Sequence, residues 1–225
     1  MGSLYQEFIN RLQEERLRRG ITQTEMGQLL RMSQSHYSKI ELGKRRLTYY
    51  EMQFLRETSL DVFYIFTGHR VNLYEKSVLF EYSYEKLVCC LSCLWILLLY
   101  SDKKNNTIIS KTAKRGTDTE QYTIIECEDV KEIFYKLRRN LGYNQAKMAD
   151  LLGVDVKKLR CLEKGKILPD CELICKLAEN FNIPYAIFLK DREGIICEII
   201  YLLDIFDEKK QKEILYKIDS LLKEF

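Results

Sequence analysis

The chain has 225 residues, of which 46% are hydrophobic, 31% are charged and two are proline. This length and apolar content fit one large domain or two small ones with buried cores, and they exclude disordered, collagen-like and low-complexity proteins. The 36 lysines and arginines nearly balance the 33 acidic residues, so any basic surface must be local. The N-terminus lacks the basic and then apolar pattern of a secretory signal, so we expect a cytoplasmic protein whose eight cysteines are reduced.

Residues 1–69 have the spacing of five short helices. Leu4, Phe8, Leu12 and about Leu17 are spaced as on one helix face and predict a first helix that ends at Gly20. Further helices are predicted over 23–30, 33–42, 48–58 and 61–66, with Thr22 and Ser33 as N-caps and Gly43 as a stop. This unit is the first predicted domain.

Residues 70–101 form an apolar helical block. Residues 87–100 are an uncharged run of 14 residues, whereas a membrane-spanning helix needs about 20. We therefore expect no transmembrane segment. The run should instead be a core helix that is enclosed on most sides, with Leu94 and Trp95 at its centre.

Residues 102–129 are rich in turn-forming and charged residues and are predicted to be a linker. Within it, 107–109 and 122–125 could pair as a small hairpin. A second unit over 130–192 and a C-terminal block over 193–225 complete the chain. The C-terminal block carries an apolar stripe suited to packing or dimerisation, formed by Ile214, Leu215, Ile218, Leu221, Leu222 and Phe225.

The second unit repeats the first without a gap, at an offset of 122 residues. The matching pairs are Leu12 and Phe134, Arg16 and Arg138, Gln23 and Gln145, Glu41 and Glu163, Ile65 and Ile187, and Arg70 and Arg192. A gapless series of this kind indicates an internal duplication. The second unit should therefore have the same five helices, with Asn144 and Asp155 as N-caps and Gly165 as a stop.

Charge is unevenly distributed along the chain. Residues 11–46 hold nine basic and four acidic side chains, and residues 131–169 hold ten and four. Residues 193–225 hold five and eight, so the C-terminal block is acidic. Two basic units beside an acidic block are typical of a nucleic-acid-binding protein, and the alternative is an ordinary solvated surface.

Residues 22–44 and 144–166 resemble the helix-turn-helix of the phage repressor/Cro (Xre-type) family. The resemblance implies that each unit is a repressor-like five-helix module, but it does not cover the linker or the apolar blocks. The predicted fold is therefore all-α, with two such modules, each followed by an apolar helical block and joined by a linker. It also implies that Arg16 with Glu41, and Arg138 with Glu163, form a structural ion pair between the first and third helices. Three departures occur in the first copy: Arg31 replaces the usual turn glycine, Gly27 replaces alanine and Leu47 replaces a frequent proline.

The third helix of each copy, here called the recognition helix, should bury one face and offer polar groups on the other. Tyr37 and Ile40 are the expected buried residues in the first copy, and Leu159 and Leu162 in the second. Expected base contacts come from Gln34, Ser35, Ser38, Lys39, Lys157 and Arg160. The resemblance implies that Gln23 and Gln145 brace the phosphate backbone, and Lys44, Arg45 and Lys166 are placed to meet phosphates.

Other constellations give weaker signals. Cys89, Cys90 and Cys93 form a CxxC within an apolar helix, and Cys171 with Cys175 forms a CxxxC. Zinc sites usually combine two close pairs from loops, often with histidine, so we interpret these thiols as core residues and expect no metal. A cysteine that acts as a redox switch is an alternative that the sequence leaves open. His36 and His69 look isolated, and no catalytic motif is present, so we expect neither a cofactor nor an enzyme.

These observations favour a sequence-specific regulator of transcription that binds double-stranded DNA and resembles a repressor. A homodimer through the C-terminal helices stays open, as does a single-chain pseudo-dimer. Val156 and Cys161 are poor base readers, so the second module is expected to add affinity more than specificity. The alternative from another class is a protein-binding module, such as an antitoxin or anti-repressor partner.

Overall fold

The computed structural model describes residues 4–73, 79–105, 130–181 and 183–224, and within these ranges the regular secondary structure is helical. The first half holds α1 Leu4–Arg18, α2 Gln23–Leu29, α3 Gln34–Glu41, α4 Tyr49–Arg56, α5 Val62–Thr67 and α6 Tyr84–Asn105. The second half holds α7 Val130–Asn140, α8 Gln145–Leu152, α9 Val156–Glu163, α10 Cys171–Phe181, α11 Tyr185–Leu189, α12 Arg192–Leu203 and α13 Glu208–Glu224.

The predicted all-α class is confirmed for the described residues. Helix α6 continues to Asn105, so the first residues of the predicted linker are helical. The hairpin predicted over 107–109 and 122–125 lies outside the described residues. No helix in the described part of the chain has the length and apolarity needed to cross a bilayer.

Side-chain caps explain why the short helices begin where they do. The first backbone N–H groups of a helix lack partners within it, and a short polar side chain just before the helix can accept from one of them. Thr22 and Thr48 do so in capping boxes completed by Glu25 and Glu51. Ser33, Asp61, Asn144 and Asp155 cap α3, α5, α8 and α9 through the same kind of side-chain hydrogen bond. The caps predicted at Thr22, Ser33, Asn144 and Asp155 are confirmed.

Helix α1 differs from its predicted pattern at one position. Phe8 and Leu12 are fully buried, but Leu17 is 60% exposed, so its assignment to the apolar face was wrong. The residue one turn after Leu12 is Arg16, which is buried because it pairs with Glu41 of α3. The periodicity was correct, but an ion pair occupies the last position of the buried face.

The two apolar blocks pack against each other. Helix α6 lies along α12 and also contacts α13. Leu87, Leu91 and Leu94 of α6 are buried, whereas Cys89 on the same helix is exposed. The described part of the run therefore agrees with the prediction that this helix is enclosed on most sides, with Cys89 on the side that faces solvent.

The two five-helix modules also contact each other directly. Helix α1 packs on α10. The Tyr49 hydroxyl donates to the carbonyl of Phe188 at 2.9 Å, and the Arg56 guanidinium donates to the carbonyls of Leu189 and Lys190 at 2.8 and 2.9 Å. These bonds join α4 of the first module to the end of α11 in the second. The modules therefore share a core as well as being linked through the chain.

A buried carboxylate ties the end of α1 to the segment around α5. Glu15 is fully buried and accepts from Arg18 at 2.6 and 2.7 Å and from Arg70 at 2.8 Å. It also accepts from the backbone N–H of Asp61 at 3.2 Å. Burial alone would raise the pKa of Glu15, but the hydrogen bonds from Arg18, Arg70 and the Asp61 backbone lower it to about 2.

This carboxylate should make folding stability depend on acid pH. Because folding lowers the pKa of Glu15 from its usual 4.5, ionised Glu15 stabilises the native state above that value, and the contribution is lost as pH falls towards 2. We expect Glu15→Gln to lower the free energy of unfolding by about 1–3 kcal/mol at neutral pH. The difference in the free energy of unfolding between the two proteins should disappear as the pH falls from about 4.5 to 2. Urea unfolding over that range, with the exposed Glu57→Gln as control, measures it, and a gap independent of pH would contradict the assignment.

Candidate nucleic-acid interface

The turn between α2 and α3 contains a strained residue. Arg31 has φ of 56°, in the left-handed region that favours glycine. Its guanidinium lies over the ring of Phe54, with Cζ 4.1 Å from the ring centroid. The equivalent residue of the second module is Gly153, with φ of 61°. The cation–π contact helps to offset the strain that glycine avoids.

The first turn is also tighter than the second. A Cβ on Gly27 would lie 3.0 Å from the carbonyl oxygen of Met32 and 3.3 Å from the backbone nitrogen of Gln34. In the second module, Ala149 occupies the equivalent position and is buried with its methyl group in place. The backbone around Met32 and Gln34 therefore leaves little room for a side chain at position 27 of the first module.

A buried hydrogen-bond network links the first three helices of the first module. Arg16 donates to Glu41 at 2.7 and 3.2 Å and to the carbonyl oxygen of Ile21 at 2.7 Å. The side-chain amide of Gln23 donates to Glu41 at 2.7 Å, and Gln34 donates to the oxygen of Gln23 at 2.9 Å. A single carboxylate thus fixes α1, the start of α2 and, through Gln23, the start of the recognition helix α3.

The second module repeats this network. Arg138 forms a two-bond ion pair with Glu163 and donates to the carbonyl oxygen of Tyr143 at 3.2 Å. Gln145 donates to Glu163 at 2.8 Å, and Arg160 donates to the oxygen of Gln145 at 2.9 Å. The ion pairs expected from the resemblance are present in both halves of the chain. The residue that engages the glutamine differs, since Val156 occupies the position equivalent to Gln34.

The charges of the first network are stable at neutral pH. Burial would raise the pKa of Glu41, but hydrogen bonds from Arg16 and Gln23 hold it below its usual value. The bond to Glu41 raises the pKa of Arg16. The oxygen of Gln23 accepts from Gln34, so the orientation of both amides is set by the ion pair.

The recognition helices present the expected faces. Tyr37, Ile40, Leu159 and Leu162 are buried against their modules. The expected base contacts Gln34, Ser35, Lys39, Lys157 and Arg160 are exposed, whereas Ser38 is half-buried. The supporting Gln23 and Gln145 are half-buried, as are Val156 and Cys161. Each recognition helix therefore exposes a polar face, and one side chain of that face is hydrogen-bonded to the glutamine of the preceding helix.

The cations after the recognition helices divide into two groups. Lys44 and Lys166 are exposed, as their expected role requires. Arg45 instead forms a two-bond ion pair with Glu51, with distances of 2.6 and 3.1 Å. Arg45 is therefore held by a partner within the protein, and a phosphate contact would have to use the guanidinium N–H groups that Glu51 leaves free. Arg46 pairs with Glu172 of α10 and joins the two modules.

The thiols and histidines behave as follows. Cys90, Cys171, Cys175 and Cys197 are buried, and burial raises the pKa of Cys90 to about 12, which keeps it a neutral thiol. No group of metal-binding side chains occurs in the described part of the chain. His36 is exposed on α3. The His69 ring stacks on Tyr201, with the ring centroids 4.4 Å apart.

Comparison with known proteins supports the first module. Residues 12–57 match the helix-turn-helix family model HTH_3, a span from α1 to α4 that includes both helices of the turn. The second copy is not matched by a family model. No curated protein and no solved structure is significantly similar to the chain. The match supports a helix-turn-helix module of the DNA-binding regulator class in the first part of the chain.

Proposed function

We propose that the protein is a sequence-specific, double-stranded DNA-binding regulator of transcription with two recognition helices in one chain. The family match to residues 12–57 supports the first DNA-binding module. For the second module the support is the repeated network, in which Arg138, Glu163 and Gln145 make the bonds that Arg16, Glu41 and Gln23 make. This recurrence is the observation that carries the proposal.

The shared network matters because direct readout requires a rigid support. A side chain discriminates bases only if it is held in a defined position at the groove, since a bidentate contact fails when the donor shifts. Gln34 and Arg160 are each held by the glutamine of the preceding helix. That glutamine is in turn held by a buried ion pair. We therefore assign Gln34 and Arg160 as the principal base-reading residues.

The two recognition helices carry different residues, so one chain should bind an asymmetric site. A dimer of identical modules requires a palindrome with half-sites about one helical turn apart. Here the contact between the modules supports a pseudo-dimer with two dissimilar half-sites. Lys157, Arg160 and Lys166 give the second module basic side chains, but Val156 and Cys161 offer no bidentate contact. We expect the first half-site to be more sharply defined.

Selection from random duplex DNA tests base reading. We expect Gln34→Ala and Arg160→Ala each to relax preference at one base position, at a cost of about 1–3 kcal/mol. Gln28→Ala is the matched control, because the Gln28 side chain is exposed on α2 and makes no hydrogen bond to the described residues of the recognition helix. An unchanged selected sequence in both test variants would show that the recognition faces are assigned wrongly.

The phosphate-facing lysines should behave differently in the same assay. Lys44→Ala and Lys166→Ala are expected to weaken binding to all sequences and to reduce the slope of log affinity against log salt by about 1. Lys209→Ala, on an exposed site of the acidic C-terminal block, is the charge-matched control and should leave both unchanged. If duplex binding is absent or insensitive to salt, the chain is not a DNA-binding protein, and the protein-binding alternative is favoured.

A further inference from the structure

A cavity of about 180 Å³ lies where both modules and both apolar blocks meet. Its walls come from α1, α5, α6, α10, α11 and α12, together with the segment before α11. Four aromatic side chains contribute to the lining: Phe66, Trp95, Tyr185 and Tyr201. The lining is mainly apolar, so water that enters gains few hydrogen bonds there.

One charged side chain lines this cavity, the carboxylate of Glu198 on α12. Glu198 makes no hydrogen bond or ion pair with the described residues. The hydroxyls of the lining have partners of their own: Thr67 donates to Phe63, Tyr185 donates to Asp191, and Tyr201 lies 3.2 Å from Nε2 of His69. The carboxylate is therefore the charged group that a cationic ligand could pair with.

The surroundings of Glu198 lack a compensating charge. Burial raises the pKa of Glu198 to about 7, and no neighbouring group lowers it. An ionised carboxylate among apolar side chains is costly unless it is paired with a cation. Aromatic rings add a second attraction for a cation, through their negatively charged faces. Both features favour a positively charged ligand.

We propose that this cavity binds a small organic cation, a protonated amine on an aromatic or aliphatic body of about the size of benzene. A cavity of roughly 150 Å³ lined by apolar side chains accommodates benzene, which sets the scale. The amine would pair with Glu198, and the body would contact Phe66, Trp95 and Tyr201. A hard metal ion fits poorly, because its remaining ligands would have to be waters in a mainly apolar lining that offers one carboxylate.

Benzylamine and benzyl alcohol form the matched pair of probes, since they share a body and differ in charge. Each is titrated into the full chain at about pH 8, where most of Glu198 is ionised. Isothermal calorimetry measures affinity, and the fluorescence of Trp95, the single tryptophan, reports occupancy of the cavity. We expect benzylamine to bind with a Kd below about 1 mM and at least about tenfold more tightly than benzyl alcohol.

Glu198→Gln should remove this preference while benzyl alcohol binding stays unchanged. Glu193→Gln, an exposed substitution on the same helix, is the control and should behave as the unmodified chain. A thermal melt establishes that both variants fold. The proposal is overturned if benzylamine at about 10 mM does not bind, or if the two probes bind with equal affinity. It is also overturned if Glu198→Gln still binds benzylamine more tightly than benzyl alcohol. No DNA is present, so this failure is distinguishable from failure of the proposed function.

Discussion

Replacing Leu94 by aspartate should abolish folding of the chain. Leu94 is fully buried on α6, at the face that packs along α12. An aspartate there would bury an unpaired carboxylate, with a loss of stability of more than about 4 kcal/mol, a large fraction of the roughly 5–15 kcal/mol that stabilises a typical domain. We expect the variant to aggregate or to lack a cooperative unfolding transition in circular dichroism.

The control position lies five residues earlier on the same helix. Cys89 is exposed, so Cys89→Asp introduces the same group and the same helix propensity without burying it. We expect Cys89→Asp to lower the free energy of unfolding by less than about 1 kcal/mol. If both variants lose the same free energy of unfolding, helix propensity limits stability, and Leu94 does not lie in a core between α6 and α12.

Local signals in the sequence were sufficient to place the helices of both modules. Thr22 and Ser33 cap the helices that they were predicted to start, and Tyr37 and Ile40 are buried as the periodicity of α3 predicted. These features depend on contacts within a few residues, which the sequence displays directly. The ion pair of Arg16 with Glu41 spans 25 residues and came from the resemblance, not from periodicity.

Several contacts between different segments were missed, whether the partners lie near or far along the chain. Arg45 was assigned to phosphate because it follows the recognition helix, but its partner Glu51 lies on the next helix. Arg46 pairs across the modules with Glu172, 126 residues away in sequence numbering, and no local pattern indicates this. The cavity around Glu198 is formed by six helices and likewise has no local signature. One clue was available, because Glu51 completes a capping box and is therefore fixed near Arg45.

The arrangement of the modules changes how DNA binding should be tested. Deleting the second module would remove the carbonyl acceptors of Tyr49 and Arg56 and expose the surface of α1 that packs on α10. Loss of DNA binding by a truncated chain could therefore reflect loss of its core, whether or not the second module contacts DNA. Single substitutions at Gln34, Lys44 and their counterparts keep this interface intact, so they separate recognition from folding.

The buried ion pairs should be similarly important in both modules. Glu41 and Glu163 are nearly buried, with side chains 3% and 6% exposed, and each pairs with an equally buried arginine. Removing one partner leaves the arginine charge uncompensated, which costs about 3–5 kcal/mol. We expect Glu41→Ala and Glu163→Ala to lower the midpoint of urea unfolding by comparable amounts, although only the first module matches the family model.

A double replacement separates the loss of charge pairing from the loss of packing. Arg16→Met with Glu41→Leu removes both charges at once and keeps apolar volume, so it should regain much of the stability lost in Glu41→Ala. Glu57→Ala, an exposed acidic site at the end of α4, is the control and should shift the free energy of unfolding by less than about 0.5 kcal/mol. If Glu163→Ala is as mild as Glu57→Ala, the second network does not support its module as the first does. The second recognition helix would then lack the rigid base that direct readout of DNA requires.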